Sequence, residues 1–474
     1  MKKTPISCDI RGGGMGLGIS GPRLAKALSR LGQGGTVTGV VQERYMARKL
    51  QQGDPGGHYR RALSHFPFRR VAAKVLVTYF EKGGIPPGKS YKGVPVFSVN
   101  PSSLLIALTI CANFASVWLA KEGHDNPISM NYLEKVNMPH VYAITGAMLA
   151  GVDAITMGAG IALQIPKVID DIATGQTATY RIPVIGKNIK THTMSFNPEG
   201  FLGEKLPLMR RPWFLPIISS NTLADIFIQK LPPGSVHGFP IEEWKAGGHN
   251  ASPRKIILDE QGQPLPIYGA RDVVDYRRIA ELGLPFWPAG AKASPEGLKW
   301  ARSVGATGIQ VGSILGLSDE SDMDEEIKKK ARQLGFEGKL VIRTDMRISP
   351  TGFPFKVAVL DGTISSPGVY EARCRVCNQG ALVSLYEKPD GTIGYRCASE
   401  PVDKFVAKGG AEADTVGRGC LCNALSVTAG VGDYGEPAVV TLGDDLSFLR
   451  RIMATAESSY SAQDAIKFLL GDTT

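Results

Sequence analysis

The sequence predicts an α/β protein, a (β/α)8 barrel of the TIM type with two insertions and a C-terminal appended region. Three observations carry this reading. Eight short β-type runs alternate with segments of helical period. Strands alternating with helices imply parallel pairing through right-handed crossovers, and eight of them suit a ring better than an open sheet. Five of the runs end in small residues, on the face where such barrels hold ligands.

In order, the runs are "CDIRGGGM", "GTVTGVV", "PISMNYL", "DAITMGAG", "PWFLPIISS", "GFPIEEW", "LPFWPAGA" and "TGIQVGSIL". After the first, Leu24, Ala27, Leu28 and Leu31 recur at helical spacing, and "SPEGLKWARSVG" follows the seventh. Two stretches break the alternation. Residues 42–92 read as a basic helical insertion after the second run, and residues 184–210 as an irregular or hairpin insertion before the fifth. After the eighth run, "SDESDMDEEIKKKARQLG" predicts an exposed charged helix. From Asp345 onward short strands and loops take over. Residues 1–344 are therefore assigned to the barrel, and 345–474 to a region packed on it that carries no catalysis of its own.

Hydrophobic residues at 43% and charged residues at 21% suit a globular chain with ample core. The uncharged stretch from Val94 to Ala120 is long enough to span a bilayer. Asn100, Pro101 and Asn113 interrupt it, and "NPSS" predicts a loop and cap before a buried helix, so no membrane is expected. No apolar segment follows the basic start "MKKTPISCDIRGGG", which points to a cytoplasmic protein. The formal charge is +10, and basic residues gather in "RYMARKLQQGDPGGHYRRALSHFPFRRVAAKVL". This reads first as a solvated face and second as a dock for an acidic partner or a phosphorylated substrate carrier. Nucleic acid is not expected, because no recognition motif accompanies the charge. Five of the seven cysteines, Cys374, Cys377, Cys397, Cys420 and Cys422, lie near the C-terminus. Their C-x-x-C and C-x-C spacings can hold zinc, but a second C-x-x-C is missing, so reduced packed thiols are the first reading and no catalytic metal is expected. Between them, "SLYEKPDGTIGYRC" predicts a hairpin turning at Asp390 and Gly391.

The small-residue ends are "GGGMG", "MGAG", "AGGH", "PAGA" and "VGS". Together they describe a rim cleared for a large planar ligand with a phosphate tail. The last two strands of such a barrel usually form the phosphate corner. Gly290, Ala291, Gly312 and Ser313 offer backbone donors there, and Ser313 adds a hydroxyl. In "KAGGHNASP", the Gly247-Gly248 pair lets something flat approach the backbone beside His249.

"GGGMGLGISGPRLAKALSRLGQGGTV", "EEWKAGGHNA" and "PFWPAGAKASPEGLKWARSVGATGIQVGSIL" resemble the FMN-dependent nitronate monooxygenase (2-nitropropane dioxygenase) family, itself related to the flavin-dependent enoyl-acyl carrier protein reductases. The similarity covers most of residues 6–317 and none beyond about residue 345. It implies an FMN cofactor with its ring over the first-strand and sixth-strand loops. Gly14 and Met15 would line the ring, Asn131 would sit near it, and Gly158, Gly160, Gly247 and Gly248 would clear its rim. The phosphate would fall on Gly290, Ala291, Gly312 and Ser313, and the catalytic histidine on His249. Two departures stand out. Lys245 replaces a frequent glutamate before A-G-G-H, which affects substrate choice. Gly290-Ala291 followed by Lys292 replaces a glycine pair, and a lysine there would favour the phosphate.

The chemistry implied is oxidation of alkyl nitronates with molecular oxygen, with His249 as general base where an α-proton must leave. Of the other histidines, His237 is expected in the strand or core, His140 at the opposite end of the barrel, and His192 in an insertion able to reach over the site as a lid. Cys111 is expected to be a packed residue. The alternative activity is an NAD(P)H-dependent enoyl-thioester (acyl carrier protein) or quinone reductase, for which the basic insertion would dock an acidic carrier protein. A third reading is a flavin-binding barrel without turnover. A homodimer stays open.

Overall fold

The computed structural model describes residues 4–471 except 261 and 434. All eight predicted runs form strands: β1 (Ile10–Gly12), β2 (Gly35–Thr38), β3 (Ile128–Leu133), β4 (Ala154–Gly158), β7 (Trp213–Pro216), β8 (Phe239–Glu242), β11 (Phe286–Ala289) and β12 (Ile309–Val311). Their pairings are all parallel. β12 pairs with β1, and Gly34 bridges Arg11 to link β1 to β2. The ladder continues β2-β3-β4-β7. A bridge between Ile218 and Ile241 links β7 to β8, and β8 pairs with β11. Thr307 N–H then donates to Phe286 O at 3.0 Å, joining the approach to β12 back to β11. The strands are short and almost wholly buried, which is why they read as continuous apolar runs rather than alternating ones.

The first insertion is helical as expected, with helices Gln42–Gln51, His58–Ser64 and Arg69–Tyr79. Its basic residues do not all face solvent. Arg44 and Arg48 are buried and donate to the carbonyls of Asn378 and Val431, while Arg69, Arg70 and Lys74 are exposed. The second insertion is a hairpin that starts earlier than 184, with β5 (Ala178–Ile185) antiparallel to β6 (Thr191–Phe196). A further hairpin, β9 (Lys255–Leu258) with β10 (Pro264–Ile267), was not expected from the sequence. It exposes Ile256, Leu258 and Leu265, so no buried face gives it a period-two signal.

Ser102 caps the helix Ser103–Lys121 by accepting from Leu105 N–H. This helix is long and apolar enough to cross a membrane, and most of it is buried inside the protein. The charged helix Glu325–Glu337 departs from expectation on one face. Lys328 is fully buried and donates to the carbonyls of Ser318 and Ser321.

Beyond β12 the chain wraps back over the strand ends. β13 (Ile342–Asp345) pairs with β14 (Phe355–Ala358), so residue 345 is the last of a strand. β15 (Ser384–Glu387) and β16 (Ile393–Arg396) form the predicted hairpin, with Gly391 left-handed at the turn. β15 also pairs in parallel with β5, so the second insertion and the C-terminal region share one four-stranded sheet.

Candidate functional site

One cavity opens at the C-terminal ends of the parallel strands. Gly14, Met15 and Asn131 line it from β1 and β3, and Gly158 from β4. Gly247, Gly248 and His249 follow β8, and Gly290, Ala291, Gly312 and Ser313 come from the last two strands. Gly160 alone among the expected residues does not line it. A Cβ there would lie 2.3 Å from Glu134 Cγ, so that glycine makes room for a neighbouring side chain.

The glycines divide by what faces them. At Gly14 an added Cβ would collide with Asn131 at 2.1 Å, so this glycine admits the asparagine. At Gly158 it would meet Ile217 at 3.2 Å, and at Gly290 the Ala246 nitrogen at 3.0 Å. At Gly247 it would lie 3.1 Å from the Leu442 carbonyl carbon, so the chain's own C-terminal segment lies across that backbone. Two positions differ. Gly248, at φ +73°, has nothing within 4 Å, and Gly312 has only Met15 Sδ at 3.9 Å. Those two leave open space for a ligand.

Three non-glycine residues lining the cavity are left-handed: Val41 at φ 56°, Ala159 at 57° and Ala291 at 53°. A β-branched residue in that region is a true outlier, and such strain gathers at functional sites. Asn131 is fixed by Thr156, whose hydroxyl donates to Asn131 Oδ1 at 2.9 Å.

His249 is held from the C-terminal region. Its Nε2 lies 2.7 Å from Ser349 Oγ, and its ring meets Phe355 edge-on at 5.0 Å. The neighbouring Gly248 N–H donates to Thr441 Oγ1 at 2.7 Å, and Lys356 N–H to Gly248 O at 2.9 Å. Burial, with Lys135 adding to it, drives the His249 pKa down to about 3, so the imidazole is neutral at ordinary pH.

Several site groups carry no motif in the sequence. Glu242, at the end of β8, faces the cavity and accepts from Gln310 Nε2 at 3.2 Å. Burial lifts its pKa to about 7 against that hydrogen bond. The detectable signal was the Glu242-Glu243 pair inside the otherwise apolar run "GFPIEEW". Lys135, just past β3, does not line the cavity, and among the described residues its Nζ has no hydrogen-bond partner. Its Nζ sits 3.2 Å from the centroid of the Phe353 ring, and burial lowers its pKa to about 7. Ser349, Phe355 and Thr441 had no signal, because only the fold brings the first two to His249 and the third to Gly248.

The two departures noted in the sequence resolve differently. Lys245 lines the cavity, with its ammonium 5.1 Å from the Trp244 ring centroid. Lys292 also lines it, but its ammonium lies 3.9 Å from the Trp300 ring centroid and 3.8 Å from Glu243 Oε2, so its charge is partly engaged. Ser313 Oγ accepts from Gly443 N–H at 2.7 Å, which leaves its own proton to donate. Of the other histidines, His237 lies half-buried in the loop before β8 rather than in a strand or the core, accepting from Phe214 N–H at 3.2 Å and stacking on Trp213. His140 is buried between Tyr132 and Tyr180. His192 pairs with Ile182 in the hairpin and does not line the cavity, contrary to its expected reach over the site. Cys111 is fully buried, and burial alone raises its thiol pKa.

No family model matches the chain, and neither does any curated protein. Among solved structures, FabK from Thermotoga maritima is 14% identical with a TM-score of 0.50, covering 98% of this chain and 93% of that one. The enoyl reductase domain of MlnA from the macrolactin biosynthesis cluster from Bacillus amyloliquefaciens is 11% identical with a TM-score of 0.50, covering 97% and 93%. Nitroalkane oxidase from Streptomyces ansochromogenes is 12% identical, covering 98% and 96%, at a TM-score of 0.46 that adds no argument. The first two likenesses show a shared fold, an α/β architecture built on parallel strands.

Proposed function

We propose that the eight parallel strands close as a (β/α)8 barrel and that the chain is an FMN-dependent oxidoreductase of the nitronate monooxygenase type. The residues fit the cofactor: Gly248 and Gly312 leave open backbone on two sides of the cavity, and three strained strand ends surround it. On this reading the ring lies by Gly14, Met15, Asn131 and Gly248, and the phosphate by Gly290, Ala291, Gly312 and Ser313. When bound, FMN supplies the redox step and its reoxidation by oxygen. The barrel spans 1–344, and 345–474 closes over its mouth.

One observation favours a nitronate over a neutral nitroalkane. His249 is neutral and weakly basic, because burial first, and then Lys135, oppose its protonation. An anion entering the cavity beside His249 raises its basicity. A neutral carbon acid meets a base too weak to deprotonate it efficiently. On this reading His249 is the base only where a neutral nitroalkane must lose its α-proton, with Ser349 holding its ring.

A second reading, an NAD(P)H-dependent enoyl-thioester or quinone reductase, draws on the apolar wall of Leu382, Leu421, Leu425 and Phe448, which suits an acyl chain. Exposed Arg69, Arg70 and Lys74 would then meet an acidic carrier protein. Anaerobic mixing of the purified protein with propionate 3-nitronate, and separately with NADPH, tests both. Flavin bleaching by the nitronate alone supports the first reading, and bleaching by NADPH alone replaces it with the second. The protein should release FMN on denaturation, and FAD or no flavin after reconstitution would refute both.

A further inference from the structure

The β9–β10 hairpin, which leaves the chain just after His249, shows solvent a run of apolar side chains. Ile256, Ile257 and Leu258 on β9 and Leu265 and Ile267 on β10 are all exposed, Leu258 at 68%. Strand alternation puts Ile256 and Leu258 on one face and Ile257, Leu265 and Ile267 on the other. A two-stranded hairpin of this kind is marginal by itself in water. Here its base and its tip are tied down. Tyr268 Oη donates to Ala251 O at 2.8 Å, and its ring stacks on Trp244. Arg347 donates to Gln263 Oε1 at 2.6 Å and to Gly262 O at 3.1 Å. The hairpin is thus held in place with its apolar residues uncovered.

Its two edges differ. Asp259 N–H donates to Gln263 O at 2.9 Å, so the odd-numbered residues of β9 turn their backbone groups inward to β10. The N–H groups of Ile256 and Leu258 therefore point outward. Arg254 N–H, in the same phase, reaches Asp272 Oδ1 at 3.1 Å. On β10 the outward positions are Pro264 and Pro266, which have no N–H to give. Of the two edges, β9 is the one that offers both donors and acceptors to another strand.

Charge selects the occupant. From Arg254 to Glu260 the strand reads "RKIILDE", two cations, three apolar residues and two anions. Laid antiparallel against itself about Ile257, it meets its own complement: Ile256 faces Leu258, Lys255 faces Asp259 and Arg254 faces Glu260. The outward backbone groups agree, because Ile256 and Leu258 then exchange their hydrogen bonds. A register shifted by two residues either way sets a charge against Ile257, and a parallel pair sets like charges side by side. We propose that two copies of the chain associate through β9, antiparallel about a two-fold axis at Ile257, into a four-stranded sheet with the order β10-β9-β9-β10. Each face of that sheet has an apolar centre closed at both ends by an ion pair. This inference stands whether or not the flavin reading does.

The test is the mass of the whole protein in solution, by light scattering on a sizing column over a range of concentrations. The expected result is twice the chain mass. Ile257→Lys places like charges on the axis and should return the mass to that of one chain. Arg254→Glu and Glu260→Arg should each raise the dimer dissociation constant roughly tenfold, since each leaves two like pairs at the interface, and the two together should restore it. Ile257→Cys should join two copies under copper-catalysed air oxidation, because Cα atoms of such a non-hydrogen-bonded pair lie about 4.5 Å apart, within disulfide reach. The unsubstituted chain, with its own cysteines, is the control. All three replaced side chains are exposed, so the variants should fold, and circular dichroism checks this. One chain mass at every concentration would overturn the proposal, whatever else the hairpin binds. So would a dimer that Ile257→Lys leaves intact, because it would be using another surface.

Discussion

His249 owes its low basicity to burial and to Lys135, and its orientation to Ser349. His249→Ala should keep FMN, because the open glycines and phosphate contacts lie elsewhere. Turnover of a neutral nitroalkane, already slow with so weak a base, should fall by less than the about 10²–10⁴-fold that a base matched to the working pH contributes, and turnover of a preformed nitronate should fall less still. Oxygen consumption with both forms measures the split, and equal losses would make His249 an orienting group only. Ser349→Ala removes one hydrogen bond worth about 1 kcal/mol, so a loss of roughly five- to tenfold is expected. His140 makes a separate prediction. Burial drives its pKa down to about 3, below the ordinary 6.5, so the unfolded chain binds more protons between those values. Stability is full above about pH 6.5 and falls as pH drops toward 3, by about 2 kcal/mol at pH 5 from this residue alone. His140→Phe keeps a ring between the two tyrosines and should flatten the melting temperature between pH 7 and 5. An unchanged slope would mean that other groups carry the acid sensitivity.

The loop after β8 shows why two adjacent glycines serve different ends. Gly247 lets the Leu442–Gly443 backbone lie against it, whereas Gly248 keeps a left-handed turn facing open space. Gly247→Ala should push the 441–443 segment off the loop and weaken FMN retention. Gly248→Ala should mainly cost backbone strain, about 1–2 kcal/mol. Gly312, at φ −115°, accepts a side chain without strain, and only Met15 is near. Gly312→Glu should therefore fold normally and lose flavin, since its carboxylate would fill and charge the proposed phosphate corner. Normal FMN content in that variant would move the phosphate elsewhere. At this scale the parallel strands were legible because each is buried on both faces. The β9–β10 hairpin was not, because its apolar residues face solvent and leave no alternation to read.

Across the whole molecule, the C-terminal region completes the site. Ser349, Phe355, Thr441 and Leu442 all bear on the A-G-G-H loop, and Arg44 and Arg48 of the first insertion bind carbonyls of the same region. A chain ending at Thr344 would take the Asn378 and Val431 carbonyls from those arginines and Ser349 from His249. It should be poorly soluble and hold no FMN, as absorbance of the purified fragment would report. A soluble fragment with bound FMN would mean that residues 345–474 only shield the site.

The sequence by itself determined the eight strands, their parallel order, the cavity end of the body and six of the ten glycines that line it. These rest on local signals: apolar runs, helical spacing and turn residues close in sequence. Only the tertiary structure decided which glycines face a ligand and which face the chain itself, because that depends on backbone arriving from two hundred residues away. It also decided that Gly160 serves Glu134, that His192 pairs within a hairpin, and that Arg44 and Arg48 are buried anchors. The same holds for the weak basicity of His249. Its cause is burial beneath Phe355 and Ser349, and no residue near it in the sequence foretells that cover.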